Sequence, residues 1–258
     1  MLTTQKAHPD LDVPKTLNRI QRALQAELKP LGFTKHGRTH HRFVDGDISQ
    51  VINFQCGQSI YGRSHLVEVN VAIRVPEVVL GGFHGDAELK KYYKEYECNL
   101  RTCIGILDEA ADVFSAYTEH ERRVYDLSDN VDELIEDLLH RVRTEVLPFF
   151  ERYGSRDAIL KDLREQPKSP LRTSGVEYFG DFDMAMIYGR QGDMERAYEA
   201  YNVYFRGAIR RCIRFDDGAR THTKNWAKRH IENAEQLGVP ITEENMALAI
   251  DFIEGRIK

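Results

Sequence analysis

The stretch LVEVNVAIRV, Leu66 to Val75, decides the fold. Val67, Val69, Val71, Ile73 and Val75 alternate without a break against Leu66, Glu68, Asn70, Ala72 and Arg74. Successive strand side chains point to opposite faces, so this period of two predicts a β-strand with one apolar and one mixed face. Upstream, RTHHRFV (residues 38–44) and ISQVINFQC (residues 48–56) share the period and are separated by Asp45-Gly46-Asp47. Asp-Gly is a strong hairpin signal, because both positions tolerate positive φ. Three consecutive strands over residues 33–75 predict an antiparallel meander with one face buried and one open. The buried face is expected to include Phe43, Ile52, Val69 and Val71.

The open face is chemically distinctive. A two-residue turn at Asp45-Gly46 pairs Val44 with Asp47. Counting back then sets Arg42 opposite Ser49, His40 opposite Val51, Arg38 opposite Asn53 and His36 opposite Gln55. Asn70 and Arg74 share the outward phase on the next strand. Arg38, Arg42, Asn53, Gln55 and Asn70 are therefore the candidate ligand-binding residues. Arginine offers a planar fork for carboxylate or phosphate, and the amides supply donors and acceptors. A metal is not expected here. His36 and His40 are roughly 13 Å apart along a strand, too far for one ion held at about 2 Å by each ligand.

Helical periods flank the meander. Leu17, Ile20, Leu24 and Leu28 recur at three- and four-residue spacing until Pro30 and Gly32. Residues 86–118 read as mostly helical with a break near Asn99, and VYDL as a short fourth strand. Ser128 is a candidate cap for a helix striped by Val131, Leu134, Ile135, Leu138, Val142, Val146 and Leu147. The Pro- and Ser-rich stretch 165–175 marks a domain boundary. Beyond it the period is helical only, over 181–190, 194–214, 222–237 and 242–255. The expected fold class is α+β: a three- to four-stranded antiparallel meander packed with helices (1–165), followed by an all-α helical C-terminal region (166–258).

The motifs LKPLGFTKHGRTHHR, VINFQ and VEVNVAI resemble a bacterial family of unknown function, domain-of-unknown-function family 4304. LPFFERYGS is similar to the end of that family's last helix. The resemblance covers about residues 15–165. It implies an α+β domain and no established activity. Separately, DMAMIYGRQGDMERAYEAY resembles a tetratricopeptide helix pair, with Ala185, Tyr188, Gly192, Ala197 and Tyr201 at its packing positions. One copy is present where a stable array needs about three, so a single hairpin of that type is expected.

Composition narrows the function classes. The chain of 258 residues has a net charge of −5, which argues against whole-chain attraction to nucleic acid or anionic membrane. No apolar run reaches the roughly 18 residues that span a bilayer, and the first residues lack the apolar core of a secretory signal. Four scattered cysteines without a CxxC pair suggest a reduced, cytoplasmic protein. The terminal IEGR matches a protease recognition sequence and also continues a plausible helix.

No GxSxG, P-loop, GxGxxG or HExxH occurs, so enzyme activity is left open with the balance against it, and no cofactor is expected. Asp181 is more simply a helix cap than half of a catalytic pair. Residues 206–230 carry eight Lys and Arg against two Asp. Within them Arg206, Arg210 and Arg214 fall on one helix face and form the alternative, nucleic-acid-binding set. The leading expectation is a cytoplasmic bacterial binding or adaptor protein that engages a protein or a small polar or anionic ligand through the open sheet face. The alternatives are a nucleic-acid-associated, defence or toxin-immunity protein, and a hydrolase of unrecognised type.

Overall fold

The computed structural model describes residues 11–56, 65–80, 89–105, 124–165, 179–215 and 221–257. Contacts divide the chain into two units: Met1–Val75 with Leu89–Ser155, and Pro76–Glu88 with Arg156–Lys258. The helix Arg156–Glu165 thus groups with the second unit, and the expected boundary stretch, from residue 166 on, lies outside the described residues.

The first unit is α+β. Its strands are β1 (Thr34–His36), β2 (Thr39–Val44), β3 (Ile48–Cys56), β4 (Leu66–Arg74), β5 (Leu100–Cys103) and β6 (Val124–Asp126). All pair antiparallel, in the order β1-β2-β3-β4-β5, and β6 takes the Leu66–Glu68 end of the β4 edge that β5 occupies at Asn70–Ile73. The meander is as expected, and VYDL does form a strand.

Two helical rods cover one face. The helix α1 (Val13–Leu28) begins with the Asp12 carboxylate accepting from Lys15 N and buries Leu17, Ile20, Leu24 and Leu28. A single 3-10 turn, Lys29–Leu31, and Gly32 at φ 85° end it. Residues Val131–Arg141 form part of the second rod, which continues through a wider π turn (Val142–Val146) into Leu147–Arg152. Pro148 has no N–H to give the carbonyl one turn back, which accounts for the widened turn. Asn130, not Ser128, is the cap, accepting from Asp132 N, while the Ser128 hydroxyl donates to Asp126. Leu134, Leu138, Val142 and Val146 from the expected stripe are buried, and the Arg143 guanidinium grips both Glu27 oxygens at 2.8 and 2.7 Å, tying this rod to α1.

The hairpin register differs from expectation by one residue. Asp45 and Gly46 both take positive φ, 47° and 83°, as a tight turn requires. Asp47 is then an extra unpaired residue, so the ladder starts at Val44 opposite Ile48 and runs Arg42–Gln50, His41–Val51, His40–Ile52 and Thr39–Asn53. One inserted residue re-phases every pair beyond it. Ile52, Phe54, Val69 and Val71 do line the helix-covered face. Phe43 does not join them; it lies in phase with Ser49 on the other face and is 37% exposed.

His40 takes a place on the helix-covered face, where it is fully buried with its ring edge-on to Phe54 at 6.0 Å. Neither ring nitrogen makes a hydrogen bond of normal geometry, and Nε2 of the neighbouring Gln21 in α1 is equally unpartnered. Burial, with help from the Lys35 and His41 charges, holds the His40 pKa down at about 4. Its neutral form is the one that fits the fold. That contribution is complete above the unfolded value near 6.5 and is lost as pH falls from 6.5 towards 4. Between pH 7.5 and 5 the loss amounts to about 2 kcal/mol. Urea unfolding of wild type and His40→Phe at these two pH values should show that difference as a shallower pH slope in the variant. Parallel slopes would contradict the assignment.

The second unit is helical: α2 (Pro76–Leu80), α5 (Arg156–Glu165), α6 (Phe179–Arg190), α7 (Met194–Arg214), α8 (Thr221–Leu237) and α9 (Glu243–Ile253), with α3 and α4 kept for the Val131–Arg141 and Leu147–Arg152 segments of the first unit. Gly192 at φ 82° turns α6 into α7, and Asp193 caps α7 by accepting from Arg196 N. Ala185, Tyr188, Ala197 and Tyr201 are all buried, so small residues let the helices approach while the tyrosines fill beside them. Asp181 sits inside the first turn of α6 and is not its cap. Asn202 in α7 holds α9: its side chain donates to Pro240 O and accepts from Thr242 N. Thr242 in turn caps α9.

Candidate functional site

The sheet face opposite α1 and α3 is not open throughout. Of residues 86–118, expected to be mostly helical, 86–88 and 106–118 lie outside the described residues; Leu100–Cys103 is strand β5, and 89–99 contain only a 3-10 turn, Glu95–Glu97, and cross one end of this face as a strap. Cys98 buries against Val51 and Ala72. Tyr93 is 2% exposed beneath the Arg74 guanidinium, which lies 4.1 Å from its ring centre, and Phe43 meets the same ring edge-on at 6.1 Å. His41 Nε2 lies 2.7 Å from Lys91 O, and His36 stacks on Tyr92 with ring centres 3.8 Å apart. Glu95 on the strap forms an ion pair with Arg101 of β5. Two of the three histidines in the segment KHGRTHHR thus fasten the strap.

The other end of this face carries a row of amides. Asn53 is the pairing partner of both Thr39 and Asn70, and Gln55 sits opposite Glu68. Thr39 Oγ1 donates to Asn53 Oδ1 at 3.0 Å, and Asn70 Nδ2 donates to Gln55 Oε1 at 2.8 Å. The two bonds orient the amides, and among the described residues they leave the Asn53 and Gln55 NH2 groups and the Asn70 side-chain carbonyl without a hydrogen-bond partner. Asn53 and Gln55 are half-buried, and Asn70 is 8% exposed. The result is two fixed donors beside one fixed acceptor.

Three of the five sequence-selected residues, Asn53, Gln55 and Asn70, therefore come together, and the two arginines do not. Arg42 is on the helix-covered face. Its Nε donates to Gln50 Oε1 at 2.8 Å and a terminal nitrogen to Leu31 O at 2.9 Å, with the guanidinium 4.6 Å above the Phe33 ring. Arg38 is exposed in the turn before β2, its guanidinium beside the Cys56 thiol, whose pKa is raised by burial and lowered in part by that charge. Cys56 is in phase with Phe54, away from the amides. Thr39, which lies between Arg38 and His40 and so alternates inward in the expected register, is the missed member of the row. Among the described residues no group of three His, Cys, Asp or Glu could hold a metal ion, and no helix is long and apolar enough to cross a membrane.

The alternative arginines also separate. Arg206 is occupied, donating to Asn245 Oδ1 at 2.7 Å and pairing with Glu244 at 3.1 Å. Arg210 and Arg214 are exposed.

A family model described as Domain of unknown function (DUF4304) matches residues 24–152. The chain belongs to this family. The match begins inside α1 and ends at the last residue of α4, so the DUF4304 region holds the whole sheet and the amide row. The helices α5–α9 follow it. No curated protein and no solved structure matches the chain.

Proposed function

We propose that this DUF4304 protein is a binding or adaptor protein, of a bacterial cytoplasm, whose amide row recognises an uncharged polar group on a protein or a small molecule. The carrying observation is the pair of preset NH2 donors, Asn53 and Gln55, flanking the Asn70 carbonyl. With Arg38 and Arg42 both turned elsewhere, neither candidate arginine joins the row, and that favours a neutral amide-like or hydroxyl-bearing group over an anion. Pre-oriented donors bind without paying for side-chain ordering, so each contributes more than a mobile surface amide would.

The test is a calorimetric or thermal-shift panel of blocked dipeptide amides, nucleosides and sugars against wild type, Asn53→Ala and Gln55→Ala. A ligand that raises the melting temperature of wild type should bind either variant about fivefold more weakly, the loss of one hydrogen bond of about 1 kcal/mol. Gln55→Ala also takes the acceptor from the Asn70 NH2, so its unliganded form should lose about 1 kcal/mol of stability, and the comparison is of affinities measured well below the melting temperature. Equal affinity for all three proteins would remove the row from the account.

A further inference from the structure

In the second unit six residues separate Arg214 from Thr221, too few to carry the chain back along α7 to a parallel partner, so α7 and α8 run antiparallel. Tyr204 Oη lies 3.4 Å from His230 Nδ1, with the rings 5.8 Å apart. At equal rise along both helices, that contact brings the last turn of α7 level with the first turns of α8. Basic and aromatic side chains gather at this end. Phe215 and Trp226 are 53% and 48% exposed. The Arg211 and Arg214 guanidiniums lie 5.6 and 6.0 Å from the Phe215 ring centre, and His222 meets Trp226 edge-on at 5.0 Å. Arg210, Arg214, Lys228 and Arg229 are exposed and form no ion pair among the described residues. The segment 206–230 is net +6 in a chain that is net −5, so its charge is local and opposed to that of the whole.

We propose that this end of the α7–α8 hairpin binds single-stranded nucleic acid. Arg210, Arg214, Lys228 and Arg229 meet the phosphates, and Phe215 and Trp226 serve as platforms for unpaired bases. Each component has its own reason. Exposed cations without carboxylate partners release phosphate counterions on binding. An aromatic ring with guanidiniums over it offers a base both stacking and a cation. Duplex bases are stacked on one another and cannot use such platforms, so the single strand is preferred. An acidic peptide has no use for the rings. The surface lies in the second unit and stands or falls independently of the amide row.

The experiment is fluorescence anisotropy of the full chain with labelled oligothymidine of about 20 nucleotides, a duplex of equal length, and phosphatidylserine vesicles. The single strand should bind more tightly than the duplex, with affinity falling linearly in the logarithm of salt concentration. Removing two phosphate contacts in Arg210→Ala/Arg214→Ala should lower the magnitude of that slope by about 1.4. Phe215→Ala and Trp226→Ala should each weaken binding about tenfold and leave the slope unchanged. All four side chains are exposed, so unchanged melting temperatures should accompany these losses. No binding at low salt, equal or tighter binding to duplex or vesicles, or aromatic variants that bind like wild type would each overturn the proposal.

Discussion

Val69→Asp unfolds the sheet-bearing unit. Val69 is fully buried between Val67 and Val71, opposite Phe54 across the β3–β4 ladder. A carboxylate there has no partner, and burying an unpaired charge costs several kcal/mol even after relaxation. Total stabilities are about 5–15 kcal/mol, so the variant should lack a cooperative transition or melt far below wild type. Asn70→Asp supplies the contrast. Asn70 is one residue along, on the other face, among groups that already hydrogen-bond, and its cost should be about 1–2 kcal/mol. Circular-dichroism melts of the two variants decide the point. A well-folded Val69→Asp, or an Asn70→Asp that fares as badly, would mean the faces are assigned wrongly.

The second large effect concerns Glu77 and Arg156. Glu77, in the first turn of α2, is 0% exposed, and Arg156, opening α5, is 9% exposed. Arg156 donates from Nε to Glu77 Oε1 at 2.8 Å and from a terminal nitrogen to Oε2 at 2.9 Å. This two-pronged pair holds the five-residue α2 in the second unit. Glu77→Ala removes the two-pronged carboxylate acceptor from a guanidinium that is nine-tenths buried and should cost about 3 kcal/mol. The double change Glu77→Met/Arg156→Leu removes both charges and restores apolar volume, so it should cost less than either single alanine substitution. Urea unfolding of the three variants measures this. A double variant as unstable as the sum of the singles would show that the charges do not act as a pair.

Much of this architecture is written in residue periodicity. The alternation from Val67 to Val75, the Leu17–Leu28 stripe and the bounds of α7 appear in the structure as their spacing implies, because burial of one face dictates each pattern. The β2–β3 register was not legible. Asp47 suits the first paired position or an extra turn residue equally well, and a single inserted residue exchanges the faces of β2 relative to β3. That is why Arg38 and Arg42 were grouped with amides they do not approach, and why Thr39 was placed inside. Asn53, Gln55 and Asn70 survived the error because the β3–β4 ladder alone sets their phase. The strap was misread for a different reason. KKYYKEYE carries helix-compatible residues, and the burial of Tyr93 and Cys98 depends on a sheet distant in sequence. His40 reverses the usual rule in the same way: a polar ring lies in the core because the register, and not its own chemistry, puts it there.

The claim that the amide row is a recognition surface is tested most directly by the side-chain NH2 signals of Asn53 and Gln55 in a 15N-labelled sample. They should be followed while the best ligand from the panel of blocked amides, nucleosides and sugars is titrated in. These two signals should move first and furthest, with the Asn70 backbone signal following, while Trp226 on the second unit stays still. A ligand that saturates the protein with both NH2 signals unmoved would contradict the claim.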